Sequence, residues 1–230
     1  MKGLSLGPRK ENRLPNRWDI RELRNLEKIE TTWDEQLSGL KYSFENLLKS
    51  AHEQDYVLRS QIAFLFSLFD FILHEIVKFG LVNMFAGQWN KTNNYMKLVL
   101  SMEDFEKGKL ELFSETWFLS VQDQKFSTSS LCGYDKMCEH FGLMGISKKE
   151  VADKAFYVQG SKVKTEEQFR ETIYQLNKLR NPIVHQASLD VRTLDVIPIT
   201  EDQVLYLMNN LNKIVHAILE VIRIKIANEE

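Results

Sequence analysis

Arg180, Asn181 and His185 stand together in the segment Leu179-Arg180-Asn181-Pro182-Ile183-Val184-His185-Gln186. Their types suit chemistry on a phosphodiester. A guanidinium carries a fixed charge and can grip two phosphate oxygens at once. An imidazole takes or gives a proton near neutral pH. A carboxamide orients a neighbour through either its donor or its acceptor end. RNA brings its own nucleophile, the 2′-OH. Cleavage then needs a base for that proton, an acid for the departing 5′-oxygen and positive charge on the phosphorane between them. His185 suits the first two needs, Arg180 the third, and Asn181 alignment. In the blander alternative Arg180 snorkels to the surface and His185 fills space.

Local rules conflict around these residues. Thr165 and Gln168 have the spacing of a capping box, and Phe169, Ile173 and Leu176 mark the buried stripe of the helix it would open. On a wheel of about 100° per residue Arg180 falls about 20° from Phe169, so its cation is aimed along an apolar stripe. Pro182 then removes one helical hydrogen bond and crowds the turn before it. The pattern predicts a helix break at Arg180–Asn181, with Asn181 capping a following turn. A conflict of this kind is expected at a functional or strained site.

Asp70, His74 and Lys178 are the supporting candidates. Asp70 and His74 share a helix face at i,i+4, either as a self-satisfying polar pair or as groups behind the Arg180–His185 cleft. His74-Glu75 begins like a zincin helix, but position 78 is Lys, so H-E-x-x-H fails. Cys132, Cys138 and His140 lack a fourth ligand for zinc, which favours ordinary packing. There is no P-loop and no G-x-G-x-x-G. The sequence implies no metal and no cofactor. Lys148, Lys149, Lys154, Lys162 and Lys164 form a basic stretch ahead of the motif helix, either a solvated face or a guide for an RNA backbone.

The elements that must position these residues read as helices. Leu23, Leu26, Trp33, Leu37, Leu40, Phe44 and Leu47 follow steps of three and four, with one gap at Glu30, behind a start at Asp19–Glu22. Residues 55 to 86 read as a second helix, apolar nearly all round from Ile62 to Leu73, and so central to the core. The stretch from Tyr95 to Phe126 reads as two shorter helices broken near Gly108. A short helix runs to His140 and ends near Gly142. Ser147–Glu150 opens a helix to about Val158, and Thr200–Gln203 opens the last one, striped by Val204, Leu207, Leu211, Ile214, Ile218 and Ile222. Asp195 to Ile199 alone hints at an extended segment. The expected fold is all-α, a bundle of four or more major helices with its break at the R-x4-H motif.

Composition agrees. The chain has 230 residues, 43% hydrophobic and 27% charged, which suits one folded domain and excludes a mostly disordered chain. Ten Gly and four Pro are too few for many short strands. A net charge of -2 gives no global field for nucleic acid, so any such site is local. Residues 1–17 read as a basic flexible arm and 18–230 as a single helical domain. No signal peptide or membrane span is expected, because Asp70, His74, Glu75, Lys78 and Asn83 interrupt the most apolar stretch. With two cysteines and no disulfide framework, a cytoplasmic setting is expected.

The segment from Leu179 to Gln186 resembles the signature of the HEPN superfamily, R-x4-6-H with a polar residue directly after the Arg. The resemblance extends in order and spacing over roughly residues 40 to 228. It takes in the apolar run Ser67-Leu68-Phe69-Asp70-Phe71-Ile72-Leu73-His74-Glu75, then Phe126-Ser127 ahead of a small helix ending in Phe141-Gly142, and a long C-terminal helix opened by Ile199-Thr200. HEPN domains of the larger, phage-defence-like bacterial groups look similar at that apolar run. It implies a helical bundle that forms a homodimer, with two R-x4-H motifs facing one composite active site. It implies an RNA substrate, metal-independent endoribonuclease activity with Arg180, Asn181 and His185 catalytic, a toxin or abortive-infection role, and an antitoxin or regulatory partner. Some members instead serve as non-catalytic modules that bind RNA, nucleotide or protein. Others carry an acid and a Lys immediately before the Arg. Here Lys178 is two residues before Arg180 and the nearest upstream acid is Glu171, so that elaboration is not matched.

Overall fold

Apolar side chains at helical spacing need a partner surface, and in this chain the long helices provide it for one another. The computed structural model describes residues 17–50, 54–110, 117–118, 121 and 129–229. Seven α-helices lie among them: α1 (Arg17–Ser50), α2 (Gln54–Phe85), α3 (Met102–Leu110), α4 (Tyr134–Met144), α5 (Lys148–Phe156), α6 (Thr165–His185) and α7 (Glu201–Glu229). The protein is all-α, as its composition and periodicity predict. The expected basic arm lies outside the described residues except for Arg17, which opens α1. No helix among the described residues is long and apolar enough to cross a membrane.

Two contacts fix the sense of the first pair. Gln54 Nε2 donates to the Leu48 carbonyl, and Trp33 meets the Phe69 ring edge-on at 6.3 Å. Partners that recede together on both sides of residues 51–53 make α1 and α2 an antiparallel hairpin. The C-terminal helix closes on it. The Trp33 indole N–H donates to Asn212 Oδ1 at 2.8 Å, His216 sits between Glu30 and Asp34, and Arg223 pairs with Glu30. The gap that Glu30 leaves in the apolar series is thus a polar seam between α1 and α7, while Ile29 is buried in its place. Near the end of α1 the stripe passes to Leu48, which is buried, and leaves Leu47 exposed; a step of four from Phe44 keeps pace with the 3.6-residue turn.

α2 is central, but not on every side. Ile62, Leu65, Phe69, Ile72, Leu73 and Ile76 are almost wholly buried, whereas Phe64 and Phe71 are 61% and 51% exposed. The helix packs against α1, α4, α6 and α7 and leaves one apolar flank open.

Local capping divides the expectations. Ser147 accepts from the Glu150 N–H, and Thr200 and Gln203 exchange both bonds of a capping box. Thr165 does not cap α6. Lys164 holds that position, and the Thr165 hydroxyl donates to Asp153 instead, tying α6 to α5. Gly142 lies inside α4, which ends at Gly145 in the left-handed conformation (φ 70°) that glycine favours.

Gly108 itself is not the breaking residue, since α3 continues past it to Leu110. It lies within α3, and a Cβ there would stand 2.6 Å from Cζ2 of the Trp117 ring. That ring is pinned by its own N–H bond to the Asp104 carbonyl at 2.8 Å. Ala at an open helix position would stabilise by roughly 1 kcal/mol over Gly. Here overpacking wins, and Gly108→Ala is expected to destabilise the fold by about 1–3 kcal/mol in urea titrations. An unchanged or higher midpoint would show that the ring gives way freely.

The largest departure concerns α6. It runs unbroken through Arg180, Asn181 and Pro182 to His185. Pro182 leaves the Lys178 carbonyl without its helical donor, but residue 178 is exposed and water can satisfy it. Ile183 packs on the core and holds the last turn in place. The stop comes later, where the N–H groups of Gln186 and Ser188 both reach back to the Pro182 carbonyl, and Ala187 and Ser188 take φ of 50° and 64°. The break therefore falls at the far end of the motif, and Asn181 is an interior helical residue, not a cap. Beyond it the expected extended segment reduces to one antiparallel bridge, Leu189 with Val196.

Candidate active site

Because α6 continues to His185, all three motif residues occupy its last two turns. Residues 181 and 185 are four apart and so lie one above the other. Arg180 points to the α2 side, where its guanidinium carbon sits 4.3 Å from the centre of the Phe66 ring. This is how the cation aimed along the apolar stripe is accommodated: it is half-buried on an aromatic face, with no carboxylate paired to it among the described residues. The remaining edge of the fork faces its neighbours. Nη1 donates to Asn181 Oδ1 at 3.2 Å and approaches His185 Nε2 at 3.2 Å.

A guanidinium has donors only. A hydrogen bond at this contact takes Nε2 as the acceptor, with the fixed cation beside it. An imidazole nitrogen placed this way can take part in proton transfer beside a bound phosphate. Asn181 and His185 are both exposed, so the group is open to a large substrate.

Beneath Arg180 the loop Ser130–Cys132 is clamped from two sides. Asp70 on α2 takes the Ser130 hydroxyl at 2.9 Å and the Leu131 N–H at 2.7 Å on one carboxylate oxygen. Asn177 on α6 donates to the Cys132 carbonyl at 2.7 Å and to the Ile173 carbonyl at 2.9 Å. The Cys132 thiol points at the Phe66 carbonyl, 3.9 Å away. Asp70 and Asn177 thus fix α2, the loop and α6 together around the ring that carries Arg180. His74 stands 3.7 Å from the other Asp70 oxygen, as its i,i+4 spacing predicts. Asp70 supports the loop beneath Arg180, and the only partner His74 shows among the described residues is Asp70. Lys178 does not join them: it is exposed and, about 160° from Arg180 around the helix, lies on the other flank of α6.

Phe66 and Asn177 have no place among the sequence candidates. Asn177 is three residues before Arg180 and Phe66 four before Asp70, so helical spacing from known candidates could have pointed to both. The basic stretch is partly spent on structure, since Lys154 pairs with Glu220 and Lys164 with Glu167. Cys132 and Cys138 are free thiols, His140 Nδ1 bonds the Lys136 carbonyl at 2.7 Å, and no cluster of metal-ligating side chains occurs among the described residues.

Burial, reinforced by the Asp70 carboxylate, pushes the Cys132 thiol well above its ordinary range, and burial also raises that of half-buried Cys138. The thiolate is the reactive form. Native protein at about pH 8 is therefore expected to react slowly at Cys138 and not at Cys132 with an aromatic disulfide reagent, and to release both thiols in denaturant. Fast labelling of Cys132 in the native state would mean that the Ser130–Cys132 loop opens.

Comparison of the chain with family models, with curated proteins and with solved structures found no match in any of the three.

Proposed function

We propose that the protein is a metal-independent endoribonuclease of the HEPN type. The observation that supports this best is a single geometry: Arg180 Nη1 is 3.2 Å from both Asn181 Oδ1 and His185 Nε2, on an open helix end. A phosphate entering the site takes the Arg180 N–H groups in place of His185, which frees Nε2. His185 then accepts the 2′-OH proton, the 2′-oxygen forms a bond to phosphorus, and the bond from phosphorus to the 5′-oxygen breaks. The products are a 2′,3′-cyclic phosphate and a 5′-OH. Arg180 balances the charge on the phosphorane.

The 5′-oxygen needs a proton of its own, and one imidazole cannot be base and acid in the same step. In a homodimer with two motifs facing each other, His185 of one chain acts as base and that of the other as acid. In this reading the protein is a toxin-like effector, and a neutralising partner would cover the same helix end. The exposed, singly supplied His185 also favours the alternative of a HEPN-like module that binds RNA, nucleotide or a partner protein without cutting, should the chain remain a monomer.

RNA cleavage in EDTA by wild type, His185→Ala and Arg180→Ala tests the proposal, with circular dichroism and sizing to show that all three fold and assemble alike. Cleavage by wild type alone supports it. Binding without cleavage by any of them moves the reading to the non-catalytic module. Cleavage by all three equally would remove the motif from the chemistry.

A further inference from the structure

The face of α6 that carries the motif does not end there. Counting about 100° per residue, Arg170, Tyr174, Asn177, Asn181 and His185 fall within about 80° of arc, one stripe running back from the active end toward the helix start. Along that stripe, between α6 and the first turn of α4, lies an open cleft of about 470 Å³ lined by Tyr134, Asp135, Arg170, Ile173, Tyr174 and Asn177. Asn177 belongs to both places, since it also holds the Cys132 carbonyl beneath Arg180.

The cleft is built from the parts that hold a nucleobase. The Tyr134 ring packs edge-to-face with buried Phe169, at 5.4 Å and 74°, and carries the Arg170 guanidinium over it at 4.9 Å. The Tyr174 ring is 57% exposed. Arg170 itself is exposed and has no carboxylate within 4 Å among the described residues, so its N–H edge is available to a phosphate. Asp135, on the α4 side, repels a phosphate and accepts from the N–H donors of a base edge. These signs order a nucleotide in the cleft, with its base toward Tyr174 and Asp135 and its phosphate toward Arg170, which lies over Tyr134. Tyr174 and Asn181 are about 10 Å apart along the helix, short enough for neighbouring nucleotides of one strand to reach both.

We propose that this cleft is a base-stacking subsite for single-stranded RNA, holding a nucleotide next to the phosphodiester that meets Arg180 and His185. This rests on the reading of the motif as an RNA site and adds to it where the strand runs. Stacking on tyrosine is tolerant of base identity, so the subsite holds the strand in place, with Asp135 favouring bases that present an amino group.

The test uses the full chain and a fluorescent single-stranded oligoribonucleotide methylated at every 2′-oxygen, which lacks the nucleophile, titrated in EDTA by fluorescence anisotropy. Tyr174→Phe keeps the ring and is expected to bind as wild type does. Tyr174→Leu keeps an apolar side chain without a π face and is expected to bind about 5- to 100-fold more weakly. Arg170→Ala should bind more weakly and lower the salt slope by about 0.7, the value for one phosphate of a single strand. Wild-type binding that Tyr174→Leu leaves intact but Arg180→Ala abolishes would overturn the subsite and leave the nuclease reading standing. Weakened binding by Tyr174→Leu in a protein that does not cut RNA supports the subsite while the nuclease reading fails. No binding by wild type overturns the subsite outright.

Discussion

On the proposed ribonuclease reading, replacing His185 by alanine is expected to lower metal-independent RNA cleavage by about 10²–10⁴-fold, the range for removing a positioned acid or base. Stability should hardly move, because His185 is exposed and its one side-chain contact among the described residues is with Arg180, which keeps Asn181 and the Phe66 face. The loss should appear in single-turnover kcat more than in KM, since in that reading Arg180 remains to bind phosphate. A mixed dimer sharpens the test. If one His185 is base and the other acid, a dimer with one wild-type and one His185→Ala chain retains no site in which both are supplied. Full activity in such a dimer would sink the division of roles. Activity of the all-Ala protein within a few-fold of wild type would remove His185 from the chemistry altogether.

What could be read in advance depended on how local each determinant is. The long helices rest on many residues repeating one period, so α2 and α7 stand within a residue or two of their expected bounds. Ends rest on single residues and on competition. Ser147 and Thr200 cap because nothing else claims their hydroxyls, whereas Thr165 is drawn to Asp153, twelve residues away in the sequence and invisible to any local rule. Gly108 reads as a breaker until the Trp117 ring is placed against it. Pro182 is the clearest case. Its penalty of about 3 kcal/mol assumes an interior turn with a buried orphan carbonyl, and here that carbonyl belongs to an exposed residue near the helix end. The wheel position of Arg180 was legible and correct, but the pattern could say only that something must meet the cation. That the partner is Phe66, more than a hundred residues earlier, depends on how α2 and α6 cross. The same crossing explains why Asp70 supports a loop as well as His74. Lys178 was grouped with Arg180 by closeness in sequence, which on a helix separates residues by about 160° when they are two apart.

Substitutions at Arg180 separate its charge from its shape. Arg180→Ala is expected to cost about 10²–10³-fold in kcat, the scale for losing one preorganised stabiliser of transition-state charge. Arg180→Lys keeps the charge but not the fork. One Arg180 side chain lies over Phe66, bonds Asn181 and meets His185 Nε2 at once because a planar guanidinium presents a face and several N–H edges together. An ammonium on a flexible stem does not reproduce that set, so lysine should recover only a minor part of the loss. Phe66→Leu supplies the complementary case, with Arg180 intact and its platform gone. Losing the cation–π contact costs about 0.5–2 kcal/mol, and it should raise KM and lower kcat together, because the cation is no longer held where the proposed reaction would place the phosphorane. Thermal unfolding of each variant separates these effects from loss of fold: Arg180→Lys should melt close to wild type and still cleave poorly. If instead Arg180→Lys cleaves like wild type, the site needs only a positive charge, and the three-way contact around Arg180 is a packing arrangement without a catalytic part.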